Sequence, residues 1–116
     1  MASEDHVLTK EDYFEMAVTC FGENRLEESV EYYKKALSLD PKFQDALHGL
    51  GMALHNLGRL DEAIAAARKL VDIDADDVLA HTSLSMFYQA KGMIEEAEKE
   101  GNLAKVLGWK EDLKGG

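Results

Sequence analysis

A shift of 34 positions lays this 116-residue chain onto itself. Leu26-Glu27-Glu28-Ser29 meets Leu60-Asp61-Glu62-Ala63 and then Ile94-Glu95-Glu96-Ala97, so an apolar, acidic, acidic, small order occurs three times. The same shift superimposes Asn24, Gly58 and Gly92, residue types that tolerate the left-handed conformation closing a helix. It also aligns Ala17, Gly51 and Ser85, all small, where one helix must admit its neighbour's backbone. Self-similarity at such a period marks stacked supersecondary units, each burying against the next an apolar face that it cannot cover alone.

Between the turn positions apolar residues recur with the helical period. Tyr13, Met16 and Cys20 mark a first helix, as do Leu47, Leu50 and Leu54, and then Leu84, Phe87 and Tyr88. Second helices follow on Leu26, Val30, Tyr33 and Leu37, on Leu60, Ile64, Ala67 and Val71, and on Ile94, Ala97, Ala104 and Leu107. The pattern predicts six helices over about 10–22, 26–39, 43–57, 60–73, 77–91 and 94–107, and no strand. Thr9 with Asp12 three residues on reads as a capping box, and the acidic pairs after Leu26, Leu60 and Ile94 suit positive helix ends. Pro41, the sole proline, stands just past the second helix and stops it without harm.

These residues resemble the tetratricopeptide repeat family over about Lys10 to Trp109. Leu50, Gly51, Gly58, Ala63, Tyr33, Ala36 and Pro41 stand where that family's pattern has apolar, small, aromatic or proline residues. Ala67 and Gly101 replace a common bulky aromatic, and Ala75 and Trp109 replace proline. The resemblance implies an all-α, right-handed solenoid of three helix-turn-helix repeats, 10–43, 44–77 and 78–109, forming one domain. A short extension, 1–9, precedes it and a tail, 110–116, follows it. Only Lys110 to Gly116 remain where the family commonly adds a covering helix, so little or no capping helix is expected. Trp109 and Leu113 then either fold back over the last repeat or meet a second copy, because an end without a polar cap leaves apolar surface bare.

The resemblance also implies that first helices line a concave face. With residues assigned to hairpin packing set aside, the lining is Glu11, Phe14, Glu15, Val18 and Phe21 in the first repeat. The second supplies Asp45, His48, Met52, His55 and Asn56, and the third Leu79, Thr82, Ser83, Met86 and Gln89. Two readings stand for each: contact with a guest, for which Phe and Met are well suited, or packing between adjacent first helices. Family members that grip the acidic tails of large heat-shock chaperones use lysine, arginine and asparagine in the groove. The matching positions here are Phe14, Val18, Gly49, Leu79 and Ser83, none of which offers a cationic or amide donor to a carboxylate. His48, Met52 and His55 share one helical stripe, near which Met86 is expected, and this donor set suits a soft metal such as Cu(I). The two imidazoles lie two turns apart, roughly 10 Å, too far to share one ion without a bend.

Composition narrows the classes further. With 23 acidic and 13 basic residues the formal charge is −10, which repels nucleic acid and anionic membrane and favours basic partners. No apolar run is long enough for a membrane span, and Met1 to Val7 lacks the pattern of a secretory leader, so a cytoplasmic site is expected. One cysteine excludes an internal disulfide, and Cys20 shares the phase of Leu54 and Tyr88, which predicts an inert core thiol. The chain has no phosphate loop, no HExxH pair and no nucleophile signature, while Glu27, Glu28, Asp61, Glu62, Glu95 and Glu96 recur as helix-start charges, not as a catalytic pair. The ending Leu113-Lys114-Gly115-Gly116 is similar to the diglycine tail of ubiquitin-like modifiers, but those carry it on a sheet-and-helix domain, and here it reads as a plain terminus. The expectation is a non-enzymatic module without a cofactor that binds an apolar or basic-flanked protein segment in its groove. Self-association through Trp109 and Leu113, and metal binding through His48, Met52 and His55, are the alternatives.

Overall fold

The computed structural model describes residues 7–115; most of the expected N-terminal extension and Gly116, the end of the diglycine tail, lie outside these. Six helices follow in order: α1 Lys10–Gly22, α2 Leu26–Leu39, α3 Gln44–Asn56, α4 Leu60–Ile73, α5 Val78–Lys91 and α6 Ile94–Gly115. No strand occurs among the described residues. Each helix packs on its neighbours in sequence, and α3 also touches α1 and α5, so the three first helices lie side by side.

Local chemistry sets the boundaries. Thr9 Oγ1 accepts from the Asp12 N–H at 3.1 Å while the Asp12 carboxylate accepts from the Thr9 N–H at 2.9 Å, the reciprocal capping box. Asn24, Gly58 and Gly92 have φ of 61°, 79° and 86°, the left-handed values that the repeat implies. One hydrogen bond recurs with them: the N–H groups of Arg25, Arg59 and Met93 donate to the carbonyls of Cys20, Leu54 and Tyr88 at 2.8, 2.9 and 2.8 Å. Between hairpins, Asp40 and Asp74 turn the chain, their Oδ1 atoms accepting from the N–H groups of Lys42 and Asp76.

The last helix departs from the expected boundary near 107 and runs on to Gly115. Gly108 stands where Asp40 and Asp74 stand in the earlier repeats, and Trp109 where Pro41 stands. Without a carboxylate to form the turn or a ring to block the next hydrogen bond, the Lys- and Glu-rich segment continues as helix. Trp109 and Leu113 do not fold back over the last repeat; they are 67% and 82% exposed on this continuation.

The hairpins close on small residues. Ser29 Oγ donates to the Ala17 carbonyl at 2.8 Å, Ser85 Oγ donates to the Ala97 carbonyl at 2.7 Å, and Gly51 faces the Ala63 carbonyl in the middle hairpin. Around these crossings Val30, Leu47, Leu54, Leu70, Leu84 and Phe87 are wholly buried. Each such aliphatic or aromatic side chain stabilises by about 1.5–3 kcal/mol. Cys20 is buried among them, and Arg25 Nη2 donates to its Sγ at 3.2 Å.

A tighter approach occurs between repeats. A Cβ on Gly49 would lie 2.3 Å from Tyr33 Cζ, whereas one on Gly51 would meet Phe87 Cε2 at 3.3 Å. Tyr33 is buried and its ring packs on Phe14 with centroids 6.0 Å apart, so it has little room to yield.

His81 ties the last hairpin together. The buried ring places Nδ1 2.6 Å from Glu100 Oε1 on α6 and Nε2 2.8 Å from the Ala75 carbonyl oxygen. Both partners accept, so only the doubly protonated imidazolium donates to both at once. Burial disfavours the charge, yet the Ala75 carbonyl, Glu100 and, more remotely, Asp77 outweigh it and hold the pKa above its ordinary 6.5. A raised folded pKa means that this stabilisation is complete below about pH 6.5 and is lost as pH rises through the folded value.

Two outcomes follow. Gly49→Ala is expected to destabilise the chain by about 1–3 kcal/mol, and more than Gly51→Ala does, in urea titrations; equal or negligible costs would show that Tyr33 moves freely. Between about pH 6 and pH 9 the wild type should lose stability relative to His81→Phe, read as converging melting temperatures. A constant difference across that range would mean that His81 does not have the raised folded pKa on which the convergence depends or does not titrate within it.

Candidate functional site

The face formed by α1, α3 and α5 carries the candidate groove. Between the first and second repeats Phe21, Tyr33, His48, Gly49 and Met52 line a depression of about 280 Å³, large enough for one bulky side chain. The missing side chain of Gly49 exposes the Tyr33 ring to this depression, so a constraint of inter-repeat packing also shapes the site. Val18, Leu79 and Met86 add exposed apolar surface at 46%, 56% and 37%. Glu11, Asp45 and Asn56 are exposed as well.

Other expected lining residues have different company. Phe14 is half-buried against Tyr33 and, at 5.3 Å between centroids, against Phe43, which makes it a wedge between repeats. Glu15 lies at the opposite edge of α1, in a separate cleft with Arg25, Tyr32 and Cys20. Thr82, Met86 and Gln89 border a cleft at the open end of the stack, where Gly101 and Lys105 of α6 form the other wall. Ser83 is buried, and the Thr82 hydroxyl donates to the Val78 carbonyl at 2.9 Å.

The histidine stripe does not converge on one point. His48 Nε2 lies 3.1 Å from Asp77 Oδ2, and Oδ1 of the same carboxylate accepts from the Ala80 N–H, so Asp77 both caps α5 and holds His48. The His55 ring stacks on Phe87 with centroids 5.2 Å apart, and its Nδ1 lies 3.3 Å from Asn56 Oδ1. No group of three His, Cys, Asp or Glu side chains placed to hold a metal occurs among the described residues.

The electrostatics of this face follow from a count. The helices α1, α3 and α5 contain only two basic side chains besides histidine, Lys10 and Lys91. Lys10 is bound by Asp40, which lowers the carboxyl pKa chiefly through that hydrogen bond, and Lys91 is bound by Asp61. Both ammonium groups are paired at the surface with a carboxylate of the same chain, while Glu11 of α1 and Asp45 of α3 are exposed with no ion-pair partner among the described residues.

The fold and its residues agree with known proteins. The tetratricopeptide repeat profile matches residues 21–86. The Hsp70-Hsp90 organising protein of Plasmodium falciparum is 36% identical over 62 residues, which are 53% of this chain and 25% of that protein. The crystal structure of MamA superposes with a TM-score of 0.86 at 25% identity, covering 90% of this chain and 61% of that one. The first such domain of Spaghetti, bound to the HSP90 peptide SRMEEVD, superposes at 0.81 with 18% identity, over 85% of this chain and 79% of that one. This chain therefore spans a quarter of the Plasmodium protein's length and about three fifths of the MamA chain. No helix among the described residues is long and apolar enough to cross a membrane.

With His48 engaged by Asp77 and His55 lying flat on Phe87, Ni(II) or Cu(I) is expected to leave the melting temperature unchanged. A metal-dependent rise that His48→Ala abolishes would contradict this placement.

Proposed function

The chain belongs to the tetratricopeptide repeat family of protein-interaction modules, and from that premise we propose that its α1, α3 and α5 face binds a protein segment with an apolar anchor and basic flanks. The observation that carries this reading is the pairing of an apolar depression at Phe21, Tyr33 and Met52 with a groove whose two ammonium groups are already engaged. A guest side chain of Phe or Leu size enters the depression over Gly49. Exposed Val18 on α1 and Leu79 and Met86 on α5 supply further apolar contact along the face. Lysine or arginine in the guest's flanks faces Glu11 and Asp45, in a field set by a net charge of −10.

The role is that of an adaptor, scaffold or small chaperone, not of an enzyme. Relatives bear on the guest by contrast. The Plasmodium relative is named as a chaperone organiser, and the Spaghetti domain holds a peptide that is acidic at its end. This chain has Phe14, Val18, Gly49, Leu79 and Ser83 where chaperone-tail binders of the family carry their cationic and amide donors. Phe14 is wedged between repeats and Ser83 is buried, so neither is replaced there by another free donor.

A second reading has its own observation: Trp109 and Leu113 stand exposed on the overhanging end of α6. Apolar surface of that kind, rimmed by charge, suits self-association. The depression of the first reading lies between the first two repeats, away from α6, whereas Met86 borders the cleft that α6 closes.

Fluorescence anisotropy distinguishes guests directly. A peptide with one central Phe and Lys on both flanks should bind, weaken as salt is added, and outcompete SRMEEVD by at least about tenfold. Preference for the acidic peptide would overturn the proposed guest chemistry.

A further inference from the structure

We propose that the open face of α6 is self-complementary, so that a second copy of this chain lays its own α6 antiparallel upon it. The proposal rests on the self-association reading above and gives it a register. At the end of the stack a cleft of about 640 Å³ lies between α5 and α6, lined by Ser85, Gln89, Ile94, Glu98, Gly101 and Lys105 among others. Within the chain this is the seat that each second helix offers to the next first helix: α2 receives α3 there, and α4 receives α5. No helix of the described residues fills it on α6.

The order of residues along that face selects the occupant. Ile94, Glu98, Gly101, Lys105 and Trp109 follow one another at spacings of four, three, four and four, which keeps them on a single helical stripe. Ile94 and Trp109 are equidistant from the point between Gly101 and Asn102, and so are Glu98 and Lys105. A two-fold axis through that point therefore sets Ile94 of one copy against Trp109 of the other, and Glu98 against Lys105, twice each. This is the isologous condition, in which one patch is complementary to itself.

The chemistry of each position agrees. Ile94 is 52% exposed and Trp109 67%, so both have apolar surface to bury. Glu98 and Lys105 are exposed, and neither has an ion-pair partner among the described residues. At the crossing, Gly101 takes the place held by Tyr33 in α2 and Ala67 in α4; its bare side faces Ser85 of α5, and no side chain from it fills the cleft. Adjacent second and first helices already run antiparallel in this fold, so the second copy's α6 enters in the orientation that the seat receives.

Sedimentation velocity over about 1 µM to 1 mM protein tests the register, with Trp109, the sole tryptophan, as a second reporter. The wild type should double in mass while its tryptophan emission moves to the blue over the same range. Glu98→Lys and Lys105→Glu, each confirmed folded by its melt, should each dimerise at least about tenfold more weakly, since each places like charges opposite one another. Mixed in equal amounts, the two variants should form a heterodimer, because every facing pair is then of opposite sign. Variants that dimerise like the wild type, or a mixture that stays monomeric, would overturn the antiparallel register while leaving wild-type self-association standing. A wild type that remains monomeric with unchanged emission throughout would overturn self-association and this inference together.

Discussion

The close approach of two helix backbones at Ala17 with Ser29, Gly51 with Ala63 and Ser85 with Ala97 is the constraint on which the rest of this structure depends. Only small residues let the helices of a hairpin come near enough for Leu47, Leu54, Leu84 and Phe87 to be sealed from water. Two of the crossings turn the small residue to further use, with a serine hydroxyl satisfying a carbonyl of the opposite helix. Because every crossing repeats at the same interval, every hairpin presents the next with the same seat, and stacking brings the first helices together on one face.

That face inherits its character from packing. Gly49 is bare because Tyr33 needs the space, and the same bareness opens the depression in which we place the guest's anchor. His48 is held by Asp77 because Asp77 must already cap α5. The ammonium group of Lys10 is paired with Asp40 at the end of its own hairpin, and that of Lys91 with Asp61 of the preceding one. Apolar surface and exposed carboxylates remain on that face, and the proposed guest chemistry rests on them.

Much of this was legible in the sequence, and the reasons are local. The capping box at Thr9, the positive φ at Asn24, Gly58 and Gly92, and the burial of Cys20 each depend on a few adjacent residues or on phase within one helix. The extension of α6 to Gly115 was legible in principle, since Gly108 breaks the series Asp40 and Asp74, but only once the turn chemistry of those aspartates was known. The roles of Phe14, Glu15 and His81 were not legible. Each depends on which edge of a helix meets which neighbour: Phe14 meets Phe43, Glu15 faces the outer cleft, and His81 meets Glu100 nineteen residues away. Helical period gives a stripe, and it does not say which border of the stripe the next repeat will cover.

Recognition through the face of α1, α3 and α5 is the central proposal. Capture from the extract of its own host, comparing the wild type with a Met52→Glu, Met86→Glu variant that melts alike, tests that most directly. A protein recovered by the wild type and lost with the variant is expected, because one new carboxylate would border the apolar depression at Met52 and the other would replace exposed apolar surface of α5 at Met86. Recovery of the same proteins by both would contradict it and move the recognition surface away from α3 and α5.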